Sequence, residues 1–235
     1  MFTKEDLYKA YYDCRKHKRG TYNALAFEIN QEEALDKLYN ELKNGTYEIG
    51  RSICFVVEKP KPREVFAADF RDRVVHHLVI RKIESYLENN FIDDTYNCRV
   101  GKGVLYGVKR LEKKIPAAVD YYCSRGWKPE DIYVAKFDCK GFFMSIDRKV
   151  LSSKLTSFLE AVYDKPDKED VIRMLRKIVM HDPTTNCIRV SLPQKWDMLS
   201  ADKSLFTCGK GKGLPIGNLS SQVLANFYMM GFDNK

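Results

Sequence analysis

SICFVVEKPKPREVFAADFRDRVVHHLVIRKIESYLENNF, residues 52–91, changes its hydrophobic period part-way along. Its first half has two apolar runs, ICFVV and VFAA, on either side of Pro60-Lys61-Pro62. Proline fixes φ and removes a donor, so a Pro-Lys-Pro step between apolar runs reads as the turn of a β-hairpin, here with a basic tip. From Phe70 the apolar residues recur at helical spacing, behind a basic first turn, Arg71-Asp72-Arg73. A hairpin feeding directly into a helix sets the fold class as α+β rather than a regular βαβ wind.

Outward from this stretch the rest is mostly helical. Residues 4–18 read as a helix. Asn30 caps a second, QEEALDKLYNELKN, which Gly45 ends. Residues 103–125 are helical with Pro116 as a kink or break. DIYVAKFD, 131–138, reads as a short buried strand ending in an aspartate. Asp147 caps a helix to about residue 162, and another covers about 167–180. Residues 181–212 look irregular with short strands. GLPIGNLSSQVLANFYMM, 213–230, is a loop opening into a buried helix.

Net charge is +8 with 44% hydrophobic and 31% charged residues. The basic clusters RKHKRG (15–20), KPKPR (59–63), RDR (71–73) and GKGKG (209–213) favour a polyanionic partner, usually nucleic acid. No apolar run approaches the length of a membrane span, and the charged N-terminus is unlike a signal peptide, so a cytoplasmic protein without membrane partners is expected. The seven cysteines are odd in number and contain no Cys-x-x-Cys pair, which predicts free thiols. GKGKGLPIG lacks the spacing of a phosphate-binding loop, GKGVLYG lacks that of a dinucleotide fold, and no Ser-His-Asp set or histidine metal site can be argued.

Three stretches carry chemistry. In VAKFDCKGFFMSID (134–147), a carboxylate at the end of an apolar strand needs a metal, a base or water beyond the strand. Two-metal phosphoryl transfer uses aspartates in that way, and an aromatic such as Phe143 beside it can pack on a sugar and exclude a 2′-hydroxyl. Asp138 is equally what an ordinary turn after a strand would carry. Lys59, Lys61 and Arg63 at the hairpin tip can reach a triphosphate, Arg63 with two hydrogen bonds, or simply face water. Gly213 and Gly217 allow the backbone to approach a base pair or sugar closely. Alternatively, Ser220 or Ser221 merely caps the helix that follows.

Taken together and in this order, these stretches resemble a bacterial reverse transcriptase. KPKPREVFAADFRDRVVHHLV is similar to its fingers motifs, YNCRVGKG (96–103) to the block that follows, AKFDCKGFFMSID to palm motif A, and KSLF (203–206) with GLPIGNLSSQVLANFYM to motif B. Ile216 before the glycine, and Gln222 where intron and retron enzymes carry proline, resemble the enzymes of diversity-generating retroelements. The resemblance implies a right-hand polymerase fold. Residues 1–130 would be an N-terminal extension and fingers with a hairpin at about 51–68. Residues 131–235 would be the first part of a palm with an antiparallel sheet, 163–212 connecting.

It also implies roles. Asp138 and the Cys139 backbone carbonyl would hold metal, with two Mg²⁺ ions in the complete enzyme. Arg63, Lys61 and Lys59 would meet the triphosphate, and Phe143 would select deoxynucleotides. Ile216, Gly217 and Gln222 would line the nucleotide and template pocket. Arg71, Arg73, Arg99, Lys102, Lys210, Lys212 and Ser221 would contact nucleic acid. The partners would be an RNA template, a DNA or RNA primer, dNTPs and an accessory retroelement protein. A paired-aspartate hairpin should follow motif B, and none stands before Lys235. The chain is therefore expected to be a polymerase fragment, inactive alone. Group II intron or defence-associated enzymes are alternatives within the class; a non-catalytic RNA-binding module is the alternative outside it.

Overall fold

The computed structural model describes residues 1–16 and 20–234. The basic run at 15–20 therefore lies partly outside the described residues. The hairpin forms as its sequence predicts. Strand β1 (Ser52–Val57) pairs antiparallel with β2 (Arg63–Ala67), in a register that sets Ile53 opposite Ala67 and Val57 opposite Arg63. A third strand, β3 (Cys187–Arg189), pairs parallel with the other edge of β1. The sheet is small and mixed, and strand alternation puts Cys54, Val56, Glu64 and Phe66 inside.

The helices in chain order are α1 (Lys4–Arg15), α2 (Tyr22–Ile29), α3 (Gln31–Asn44), α4 (Phe70–Glu88), α5 (Val104–Cys123), α6 (Phe142–Ser145), α7 (Arg148–Val162), α8 (Lys168–Met180), α9 (Pro193–Trp196) and α10 (Leu219–Asp233). The Asn30 and Gly45 boundaries of α3 stand as read, although the Asn30 side chain makes no capping bond. Asp147 does cap α7, accepting the Val150 N–H at 2.9 Å. α2 and the short helices α6 and α9 were not legible in the sequence. α5 runs unbroken through Pro116.

α4 is the axle. Phe70, Val74, Val75, Leu78, Val79, Ile80, Ile83 and Leu87 are all buried, so it is apolar on more than one side. α1, α2, α8 and α10 pack around it, and α7 packs on α8 and α10. A second, smaller core lies under the sheet, where Cys54, Phe66, Met144 and Leu205 meet Trp196, Phe206 and Ile216. Buried polar groups inside this frame are mostly bonded, Arg148 Nε and His181 Nε2 being exceptions. Asp72 on α4 accepts from the Tyr47 hydroxyl at 2.7 Å and the Gly50 N–H at 2.8 Å.

The strand expected at 131–138 does not form. Residues 132–138 are without regular structure, and Tyr133, Val134 and Phe137 are 85, 70 and 87% exposed. The physical reason is pairing. A strand needs a neighbour for its N–H and C=O groups, and no described strand lies beside this segment, so its backbone stays in water. Asp138 therefore ends an exposed segment, not a buried strand. The preceding helix α5 is joined to the 92–103 segment by Tyr106 on Asp93 and Arg110 on Asp94, each at 2.8 Å, and leaves Val104, Val108, Leu111 and Ile115 exposed along one stripe. Among the described residues the architecture is a helical body with a three-stranded sheet; the antiparallel palm sheet of the sequence reading is not formed. No described helix is long and apolar enough to cross a membrane.

Leu78 is buried at the centre of α4, facing the main core. Leu78→Ala should destabilise the fold by about 2–5 kcal/mol in urea unfolding, the range for cavity-forming changes in a packed core. A cost below about 1 kcal/mol would show that α4 does not carry the core.

Candidate nucleotide and nucleic-acid cleft

A cleft of about 530 Å³ opens where three separate parts of the chain meet. Lys61, Pro62 and Arg63 come from the hairpin tip. Asp138, Lys140, Gly141 and Phe143 come from the segment around α6. Ile216, Gly217, Ser221 and Gln222 come from the turn into α10. Asn97 and Cys98 close one side, and Asp202 with Lys203 another. Those last four, and Lys140, were not among the residues singled out from sequence. Lys140 and Lys203 stood inside quoted blocks, but nothing in their spacing marked them.

Backbone stitching explains the assembly. The Phe66 N–H on β2 donates to the Ile216 carbonyl at 2.8 Å, and the Ala68 N–H donates to the Asn218 side chain at 3.3 Å. The 216–218 turn is thus laid along the hairpin like a further strand. Gly217 has φ +123, and a Cβ there would stand 2.7 Å from the Phe66 carbonyl oxygen and 2.8 Å from the Val65 side chain. The glycine is required by the hairpin behind it. Likewise, a Cβ on Gly213 would meet Leu205 at 2.6 Å. The close approach expected from these glycines is to the protein's own chain.

Gly141 has φ +58, and a Cβ on it would lie 2.8 Å from the Asp202 carbonyl, so the α6 entry presses on the 201–206 loop. The Leu214 N–H then donates to the Phe143 carbonyl, and the Gly213 N–H to that of Ile146, both at 2.8 Å. Phe143 is half-buried, edge-on to Phe142 with centroids 5.6 Å apart.

Ser220 does not cap α10; Asn218 occupies that position, and its side chain makes no capping bond. Ser220 is buried, its Oγ 2.9 Å from Nδ1 of His76 on α4. Burial pushes the His76 imidazole down to about 3, with neighbouring His77, His181 and Arg73 adding to it. The pair fixes the first turn of α10 against α4, so that Ser221 and Gln222 line the cleft.

The cleft holds Lys61, Arg63, Lys140 and Lys203 against the carboxylates of Asp138 and Asp202. The Asp202 carboxyl is held below its usual range, first by a hydrogen bond from Ser200 and further by the charges of Lys140 and Lys203. No group of three or more His, Cys, Asp or Glu side chains among the described residues is placed to hold a metal. Mg²⁺ is commonly bound by one or two carboxylates together with substrate phosphates, and Asp138 with a phosphate chain meets that requirement. Cys139 is exposed and outside the cleft lining, as are Lys59, Lys210 and Lys212.

Other basic residues expected at nucleic acid are engaged internally. Arg71 pairs with Glu41 and lies over the Tyr47 ring. Arg73 Nε donates to the Ala68 carbonyl at 2.8 Å. Arg99 is tied to Glu88 at 2.8 Å and to the Ile92 and Thr95 carbonyls, and Lys102 to Asp93 at 2.8 Å. These bonds fold the 92–103 segment, whose Asn97 carbonyl accepts from Asn226 on α10 at 2.6 Å.

No protein-family model matches the chain. Over 225 residues it is 22% identical to nuclear intron maturase 4, mitochondrial, of Arabidopsis thaliana, a match covering 95% of this chain and 23% of that protein. The chain spans less than a quarter of that relative's length. The similarity is a distant, reverse-transcriptase-like one.

His76 generates a pH prediction. Its folded pKa lies below the ordinary value of 6.5, so the stability it contributes is complete above pH 6.5 and is lost as pH falls toward about 3. The urea midpoint should drop between pH 7 and pH 5, and His76→Asn should flatten that drop while lowering stability at pH 7. Parallel pH curves for the two proteins would show that His76 is not held neutral. Gly217→Ala should also destabilise the fold, by about 1–3 kcal/mol, since the strained φ and the overlap with β2 act together; an unchanged thermal midpoint would contradict the stitching.

Proposed function

We propose that the cleft is the nucleotide site of an RNA-directed DNA polymerase of the diversity-generating retroelement type. The observation that carries this reading is convergence. An aspartate with an aromatic five residues on, a basic hairpin tip and a glycine turn opening a helix stand far apart in sequence and line one cleft. The distant likeness to an intron maturase agrees with the general class. The finer type rests on Ile216 and Gln222, the residues that flank the turn.

In this reading Lys61 and Arg63 hold the phosphates of an incoming dNTP, Arg63 as a fork and Lys61 as a point charge. Phe143 packs against the sugar and leaves no room for a 2′-hydroxyl. Ile216 and Gln222 lie against the base pair formed with the RNA template. Asp138 would hold Mg²⁺, which when bound stabilises charge on the attacking and leaving oxygens. The chain's own contribution is to orient the phosphates and the sugar. A specific observation also favours a second reading, a non-catalytic RNA-binding module: Asp138 stands on an exposed, unpaired segment, and among the described residues lining the cleft Asp202 is the one further carboxylate.

Calorimetric titration of a dNTP onto the chain, with a DNA primer annealed to an RNA template, separates the two. The polymerase reading expects Mg²⁺-dependent binding that Asp138→Ala abolishes while template binding is unchanged. Binding of RNA alone, insensitive to Mg²⁺ and to Asp138, supports the module instead. In either case RNA affinity should fall steeply with salt, because Lys and Arg neutralising phosphates release counterions. A flat salt response would remove the basic surface as the binding face.

A further inference from the structure

Glu64 occupies an unusual place. It lies in β2 beside Arg63, and its side chain is wholly buried at 0% exposure. A buried carboxylate is costly unless its oxygens are bonded. Both are, and both partners sit in one distant loop: the Ser204 hydroxyl donates to Oε2 and the Leu205 N–H to Oε1, each at 2.7 Å. Ser204 in turn accepts the Phe206 N–H at 3.3 Å. Glu64 therefore clamps the 201–206 loop to the hairpin. The same loop carries Asp202 and Lys203 into the cleft and presses its Asp202 carbonyl on Gly141. The clamp also seats Leu205 in the second core under the sheet, with Phe206 packed against it.

We propose that Lys203 is an additional phosphate-binding residue of the cleft, and that Glu64 is the positioning residue that holds it there. The proposal rests on reading the cleft as a nucleotide site. The cleft then takes a polyphosphate between two cationic walls, Lys61 and Arg63 on the hairpin and Lys203 on the clamped loop, and Glu64 fixes the spacing of the two walls. An ammonium on a free loop would have to be ordered at each binding event; the clamp removes that cost beforehand.

The probe is inorganic tripolyphosphate, titrated calorimetrically onto the 235-residue chain, with binding of a single-stranded RNA as the parallel readout. Lys203→Gln should weaken tripolyphosphate binding about tenfold, the loss of one charge-assisted hydrogen bond, with the thermal midpoint unchanged. Glu64→Ala should weaken it to a similar degree. Glu64→Gln should retain binding, because its amide oxygen still accepts from Leu205 and its NH₂ reaches Ser204. The deciding comparison is the double variant. If Glu64 acts through Lys203, adding Lys203→Gln to Glu64→Ala costs nothing further; if Glu64 is merely structural, the two losses add. Should Glu64→Ala not fold, Ser204→Ala, which keeps the Leu205 bond, replaces it in the same cycle.

Lys203→Gln binding as tightly as the unaltered chain overturns the assignment of Lys203 while leaving the nucleotide reading intact. Additive losses overturn the role of Glu64. An unaltered chain that binds RNA but no tripolyphosphate sinks the nucleotide reading, and this proposal with it.

Discussion

The Phe66 N–H donating to the Ile216 carbonyl is the bond on which the cleft depends. It joins an edge of the hairpin to the turn that opens α10, and Gly217 is the residue that makes the approach possible. On the far side of the turn, Ser220 meets His76 on α4. The turn is thus held between the sheet and the central helix, and everything α10 offers to the cleft inherits that placement. Remove the stitch and the hairpin tip and Gln222 no longer share a wall.

Around this seam the structure uses buried polar groups as clamps rather than as charge. Glu64 binds the 201–206 loop, and burial raises its pKa even as Ser204 and Leu205 pull it back. Asp72 binds the segment leading into β1 through Tyr47 and Gly50. Arg148, at the start of α7, donates to the carbonyls of His181 and Lys212 and to Asp182. Each joins parts of the chain far apart in sequence, and each would be costly to leave unpaired. The contrast with α5 and residues 131–138 is instructive. Residues 132–138 lie open to solvent, and α5 is held on one side, by Tyr106 on Asp93 and Arg110 on Asp94, with its apolar stripe exposed.

A net charge of +8 suggested a polyanion partner, but much of the positive charge is paired within the fold. Arg71, Arg99 and Lys102 hold segments together. The cations left facing the cleft, Lys61, Arg63, Lys140 and Lys203, are few and come from three segments. Lys59, Lys210 and Lys212 are exposed outside that lining.

The sequence by itself determined whatever depends on short-range pattern. The Pro-Lys-Pro turn between apolar runs specified the hairpin, the helical period after Phe70 specified α4, and Asn30, Gly45 and Asp147 marked helix ends, because caps and turns act within a few residues. It also picked out Asp138, Lys61, Arg63, Phe143 and Gln222, now lining one cleft. Tertiary structure alone decided the rest. Residues 131–138 have strand composition, but a strand exists only beside another strand. Gly217 read as room for a ligand, yet the space belongs to Phe66. Arg99 and Lys203 are equally basic in sequence; one is tied to Glu88 and the other lines the cleft. No local pattern could separate them, since what decides is which distant residue arrives at hydrogen-bonding distance once the helices have packed around α4.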